Sequence, residues 1–262
     1  MTLDNSFKKH HVFEDLDRYI ELYKALSFSV FGFITIGTKA ACNIDSYVFS
    51  SMQGTLDSIK NILSNGRIND SYALLRKYYD SVIINIYANL YLKNNFNMAA
   101  LVVSHIDNWL RGKEPLPEYR IMSDYIRSSP QLKKINDLLY EGSTTYKELR
   151  GRCNDHMHYN HYHNLLLNDG EIYLQERMAA LEGFSEDLDN VFILHLSYLF
   201  YLNDHYMMSS DYMDHMECGM TPPKDSEYFV APFVQNIFDS VIKKKRLDIA
   251  VEIKNATKMH LE

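Results

Sequence analysis

The chain has few of the residues that stabilise small or secreted folds covalently. Its three cysteines, Cys42, Cys153 and Cys218, lie far apart and form no CxxC pair. That excludes a thiolate zinc site and a disulfide framework, and points to a reduced, cytoplasmic protein. Proline and glycine are sparse too, 6 and 10 in 262 residues, and the long unpunctuated intervals favour long helices over many short strands. Positive charge is not in excess: the formal charge is -7. A generic nucleic-acid coat needs many Lys and Arg contacts to phosphate, so any nucleic acid has to be met locally.

No apolar run reaches the roughly 20 residues of a membrane span. The nearest, Ala25 to Gly37, is interrupted by Ser27, Ser29, Gly32 and Thr35, and burial in the core is expected for it. The segment before it, Lys8 to Lys24, holds four acids, unlike the short basic start of a secretory leader. There is no P-loop, GxGxxG or GxSxG, which removes ATPase, dinucleotide and α/β-hydrolase readings. The run Lys243 to Arg246 reads as a solvated helix face.

Apolar residues recur at helical spacing instead. From Lys39 to Leu63 the set Val48, Met52, Leu56, Ile59 and Leu63 keeps a three-to-four interval, and Asn65-Gly66 supplies a stop. A second helix follows to Lys93, with Asn69 or Asp70 as its cap and Tyr72, Leu75, Tyr79, Val82, Ile83, Ile86 and Leu90 as its stripe. The two form an antiparallel hairpin. Shorter helices are expected over Met98 to Arg111 and around Pro130, and one from Ser143 or Thr144 to about Tyr159. The most hydrophobic runs from Ser185 to about Met208. Asp169-Gly170 between apolar runs leaves room for one short β-hairpin near residues 163-175. The expectation is an all-α multi-helix bundle: a single helical domain over 1-262, its core at about 39-213 and a helical C-terminal extension at about 224-262. The 20 tyrosines read as half-buried residues with hydroxyls at water. His195, among Phe192, Leu194, Leu196 and Leu199, reads as a core histidine with satisfied nitrogens, and Trp109 as a packing anchor.

One segment carries most of the chemistry. Between Tyr146 and His163 stand Arg150, Arg152, Asn154, Asp155 and four of the eleven histidines, His156, His158, His161 and His163. Imidazole exchanges protons near neutral pH and guanidinium is a permanent cation suited to phosphate, so the mixture points to a phosphodiester. RNA is cleaved by its own 2'-hydroxyl when a base takes that proton, an acid protonates the leaving 5'-oxygen and a cation stabilises the phosphorane. His158 fits base or acid, Arg152 the phosphate clamp, and Asn154 or Asp155 the group that orients the imidazole, with Arg150 and His156 assisting.

Arg152 and His158, and likewise Arg150 and His156, form an R-x5-H pattern. An Arg, four to six residues and a His late in a helical bundle resembles the signature of the HEPN superfamily. The helix holding Leu74, Arg76, Tyr79 and Asp80 is similar to an Arg-plus-acid pattern early in such bundles, so the resemblance covers roughly 45 to 210. This chain departs from the commonest form in having Cys153 directly after Arg152. The resemblance implies a metal-independent endoribonuclease of a toxin or phage-defence system, with RNA as substrate, no cofactor, an antitoxin or regulatory protein as a further partner, and a homodimer whose two motifs meet. Residues six apart on a helix diverge by about 120 degrees, so Arg152 and His158 need long side chains, a fraying helix end or a second subunit to meet, and the resemblance implies the last. Arg152 and His156, four apart, share a face, but their spacing is one short of the family range.

Two other readings compete. The four histidines with Asp155, Asp204, His205, Asp214 or His215 could hold a metal, although HExxH, Glu-x-x-His and an adjacent His-Asp doublet are all missing. Alternatively the polar segment is the interface of a non-catalytic module that binds a protein or nucleotide, which the net acidity favours.

Overall fold

The computed structural model describes residues 3-33, 37-38, 44-97, 101-172 and 174-262. Helices account for all the regular structure there, and the nearest thing to a sheet is isolated bridging such as that between Met208 and Val230, antiparallel. After a single turn at Asn5–Lys8 come α1 (Val12–Phe31), α2 (Ile44–Ser64), α3 (Ile68–Asn95), α4 (Ser104–Leu110), α5 (Tyr119–Arg127) and α6 (Lys133–Tyr140). Then follow α7 (Thr145–Met157), α8 (Tyr162–Leu166), α9 (Arg177–Leu202), α10 (Asp211–Glu217), α11 (Pro232–Ile237, prolonged by a π turn) and α12 (Leu247–Ala256). No helix among the described residues is long and apolar enough to cross a membrane.

The α2–α3 hairpin forms where the stripes place it, with Gly66 at φ +77 in the turn. A side chain at Gly66 would be strained by that φ and would also meet Leu3 Cδ2 at 2.9 Å. The cap of α3 differs from expectation. Asn69 and Asp70 lie inside the first turn, and the cap comes from a segment about a hundred residues later: Asn168 Oδ1 accepts from the Asp70 amide at 3.0 Å, and Asn168 Nδ2 donates to Asp70 Oδ1 at 2.7 Å. At α7, Thr144 occupies the cap position, but its hydroxyl donates to Glu148 rather than accepting from an amide.

The β-hairpin expected at 163-175 does not form among the described residues. Tyr162–Leu166 is a short helix, and the polar backbone after it is satisfied by side chains rather than a ladder. Asp169 Oδ1 accepts from the amides of Glu171 and Ile172, while Arg177 donates to the carbonyls of Gly66, Asp169 and Ile172. A turn signal in a sequence does not decide whether strands leave it.

The core is one cluster of buried side chains from Phe7 to Leu261, wider than 39-213. α1 contributes Leu16, Tyr19 and Tyr23 against α2 and α9. Burial of Ala25 to Gly37 holds only for one face: Leu26 and Val30 are buried, whereas Phe28 and Phe31 are 74% and 65% exposed, and 34-36 lie outside the described residues. At the other end, α12 is tied back by Arg246 Nη2 donating to the Leu138 carbonyl at 2.7 Å and by Lys245 on Asp189.

Many tyrosine hydroxyls are internal rather than at water. Tyr19 donates to Asp189, Tyr198 to Asn136 and Tyr206 to Asp45, while Tyr23 and Tyr78 bond each other at 2.6 Å. His195 is fully buried, as its apolar neighbours predict. Nδ1 lies 2.6 Å from Tyr23 Oη and Nε2 lies 2.9 Å from Asn85 Oδ1. Burial lowers its pKa to about 3, so this imidazole is neutral at physiological pH.

Candidate functional site

α7 turns Tyr146, Leu149 and Cys153 into the core, which fixes where the polar side chains point. Residues four apart are offset by only about 40 degrees, so Arg152 and His156 share one flank and Arg150 and Asn154 the other. Burial raises the Cys153 thiol to about 12, and a thiol so placed is inert. Its position after Arg152 serves packing.

On the first flank Arg152 makes a bidentate pair with Asp187 of α9, Nε to Oδ2 at 2.8 Å and Nη2 to Oδ1 at 2.5 Å. The Asp187 side chain is 1% exposed and that of Arg152 44%, so a sealed carboxylate holds a half-open guanidinium. The same carboxylate accepts from Tyr72 Oη at 3.2 Å. His156 stacks on the Tyr72 ring at 4.0 Å and 7°. Its Nδ1 lies 2.8 Å from Asn69 Oδ1, an oxygen that can only accept. Nδ1 therefore carries the proton, and Nε2, with no hydrogen-bond partner among the described residues, keeps its lone pair. Desolvation, against opposing help from Asp155 and Asp187, lowers the His156 pKa to about 4. The unit is a fixed cation beside a neutral imidazole of defined tautomer.

The second flank is an ionic lattice between α7 and α3. Asp80 accepts from Arg150 Nη1 at 2.8 Å and from Arg76 Nε at 3.0 Å. Arg76 also donates to Asn154 Oδ1. The Arg150 guanidinium lies over the Tyr119 ring of α5, 3.2 Å from its centroid. Arg76 and Asp80, four apart on α3, thus meet the loaded segment directly. Arg150 and Asn154 are held in this lattice and are the less available groups.

His158 stands apart. It occupies the C-cap of α7, exposed, with no side-chain partner among the described residues. Asp155 does not orient it: its carboxylate accepts from Asn160 Nδ2 at 2.7 Å and its carbonyl from Asn164 Nδ2 at 3.1 Å. Those bonds, with Tyr159 at φ 50, turn the chain into α8. Asn154 is likewise bound by Arg76 rather than by a histidine. Of the predicted residues, the fold unites Arg152 with His156, and Arg150 with Asn154, while His158 and Asp155 sit at the turn. His161 and His163 are exposed beyond it, His163 near enough that its charge opposes protonation of His156.

The four histidines do not converge as a ligand shell. Among the described residues, the group of three metal-ligating types whose ligand atoms close up is His10, His11 and Glu182. His10 Nδ1 accepts from the Val12 amide at 3.2 Å, so in the neutral ring Nε2 holds the proton and donates it to Glu182 at 2.9 Å. A metal at that nitrogen would have to displace this proton while Nδ1 stayed committed as an acceptor.

Reading the sequence by itself misses Asn69, Tyr72, Tyr119 and Asp187. Asp187 carries a signal in retrospect, an acid within the stretch that includes Leu188, Val191 and Phe192; Tyr72 is hidden because it also fits the apolar stripe of α3. Comparison with protein-family models, with curated proteins and with solved structures found no match.

Proposed function

We propose that the surface where α3, α7 and α9 meet takes an RNA phosphodiester and that the chain is a metal-independent endoribonuclease, with Arg152 and His156 as the working pair. The observation that carries this reading is the pairing of a half-open guanidinium, anchored on buried Asp187, with a neutral imidazole whose Nε2 is left as a proton acceptor. Arg152 Nη1 lies 4.0 Å from the exposed Glu148 Oε2, a surface contact that a phosphate oxygen would displace. His156 has too low a pKa to be an efficient base in the free protein, but a phosphate anion seated on Arg152 raises it toward the operating pH. His156 then takes the 2'-hydroxyl proton, and His163 is the nearby imidazole that returns one to the 5'-oxygen.

Met157, Tyr159, Tyr162 and Leu165 around this end are 42%, 44%, 75% and 44% exposed, an apolar surface on which a second copy, or an antitoxin-like regulatory protein, would pack. The reading assigns the protein to a cytoplasmic toxin or phage-defence system. A second reading has support from one feature: Arg150 and Arg152 are both already paired with carboxylates, which suits a non-catalytic module that binds a protein or nucleotide.

Labelled single-stranded RNA incubated with purified protein, with and without chelator, tests the enzyme reading. Cleavage should persist in chelator, leave a 2',3'-cyclic phosphate, spare DNA, and disappear in Arg152→Ala and His156→Ala. Absence of cleavage with retained RNA or nucleotide binding favours the module. Activity restored to chelated protein by zinc or manganese overturns the metal-independent mechanism.

A further inference from the structure

At the opposite end of α3 from Arg76 lies a cavity of about 750 Å³ between α1, α3, the end of α9 and α10. Its walls are apolar, with Val30, Leu92, Phe96, Leu202 and Met213, and its size falls in the range of small-molecule sites, roughly 300–1,000 Å³. The polar atoms at its floor are turned inward. Asn89 Nδ2 donates to Asp45 Oδ1 at 2.7 Å and Tyr206 Oη to Asp45 Oδ2, and all three residues are buried. Asn89 Oδ1 in turn accepts from Asn203 Nδ2 at 3.2 Å.

Beside the Thr38 hydroxyl, the His205 imidazole and the Lys93 ammonium, the cavity wall carries acceptors and rings. The Asp204 carboxylate, half-buried, has no hydrogen bond or ion pair with another described residue, and neither does Asn203 Oδ1. Phe33 and Tyr206 lie parallel, centroids 6.0 Å apart and planes 5° apart. Lys93, the lysine among the lining residues, places its ammonium on the Leu202 carbonyl at 3.2 Å, where it complements the C-terminal end of α9. We infer that this cavity binds an organic cation, an amine or quaternary ammonium on an aromatic or aliphatic body, with Asp204 as counter-charge and the Phe33, Phe96 and Tyr206 rings facing the positive group. This site is independent of the α7 surface.

A charge series on one scaffold tests it: 4-phenylbenzylamine, the neutral biphenyl-4-methanol and biphenyl-4-carboxylate, titrated calorimetrically into the full chain. The amine should bind saturably at one site with a Kd below about 1 mM, and the carboxylate at least about tenfold more weakly. Asp204→Asn should weaken the amine by about tenfold and leave the alcohol unchanged. The wild-type charge series stands even if that variant folds poorly. Carboxylate binding equal to the amine, an Asp204→Asn protein that binds the amine as tightly as the wild type, or no saturable amine binding each overturns the inference.

Discussion

His195 and His156 are built from the same parts. Each imidazole stacks on a tyrosine, Tyr23 at 5.5 Å and Tyr72 at 4.0 Å, each faces an asparagine side-chain oxygen, Asn85 and Asn69, and each is pushed by burial to a pKa well below the ordinary histidine value, about 3 and about 4. They differ in how many ring nitrogens are engaged. His195 has both nitrogens bonded and no exposure, so it is a structural element of the core. His156 is only partly buried, bonds through one nitrogen, and stands beside a guanidinium that is 44% exposed. Burial makes both rings neutral; the unengaged nitrogen is what makes one of them available for chemistry.

The comparison breaks most readily by truncating both. His195→Ala leaves Asn85 Oδ1 without its partner, leaves the Tyr23 hydroxyl with Tyr78 alone and opens a void, which costs about 3 kcal/mol of stability. Activity per folded molecule should survive. His156→Ala should do the reverse: about 1 kcal/mol of stability and about 100-fold or more of the proposed RNA cleavage. Urea midpoints and cleavage rates on the same preparations decide it. Equal destabilisation with activity retained in His156→Ala would make the α7 histidine as structural as its counterpart.

The two flanks of α7 allow a second test. Asp187 is sealed and serves Arg152 and Tyr72, whereas Asp80 is 37% exposed and serves Arg76 and Arg150. Removing a buried carboxylate strands its partners, so Asp187→Ala should cost about 2 kcal/mol, less than for a fully buried pair because Arg152 reaches water. Asp80→Ala should cost about 1 kcal/mol. The reverse order would mean that the lattice, not the Asp187 anchor, holds α7 in place.

Much of this architecture was legible in the sequence because it rests on local periodicity. The α2–α3 stripes, the Asn65-Gly66 stop, the helices around Pro130 and the apolar setting of His195 are short-range patterns, and each appears where the spacing puts it. Arg76 and Asp80, picked out for their pattern, do reach α7. What was not legible depends on contacts distant in sequence. The α3 cap is Asn168 and the Arg152 anchor is Asp187, and no local pattern reveals either partner. The spacing of Arg152 and His158 pointed beyond the helix, since α7 ends at Met157 and the turn built on Asp155 takes over. The same limit explains the unformed hairpin, where Arg177 takes the carbonyls that a ladder would have used.

Acid sharpens the comparison further. An unfolded chain protonates these histidines at the ordinary value of 6.5, whereas the folded protein does so only at about 4 for His156 and about 3 for His195. Below pH 6.5 the unfolded state therefore binds more protons, and stability falls as pH falls through that window, the His195 contribution continuing to lower pH than that of His156. Urea midpoints measured from pH 7 to pH 4 should decline in the wild type and less steeply in His195→Gln, which keeps a polar side chain but cannot titrate. His156→Gln should flatten the curve less, because water screens a partly open ring. An unchanged slope in His195→Gln would mean that the core imidazole is already charged or never differs between the two states.

The smallest effect expected is at His158, and it discriminates most sharply between sequence spacing and three-dimensional placement. The R-x5-H pattern makes His158 the partner of Arg152. In the folded chain it is the exposed C-cap of α7, and its backbone amide, bonded to the Asn154 carbonyl at 3.0 Å, survives any side-chain substitution. What its imidazole supplies is at most a favourable interaction with the helix C-terminus, worth about 0.3–1 kcal/mol. His158→Ala should therefore change stability by no more than about 0.5 kcal/mol and the proposed cleavage by no more than about threefold, a little under 1 kcal/mol. A collapse of activity in His158→Ala while His156→Ala cleaves normally would return the working histidine to the end of the helix, where a symmetric partner would have to bring it to Arg152.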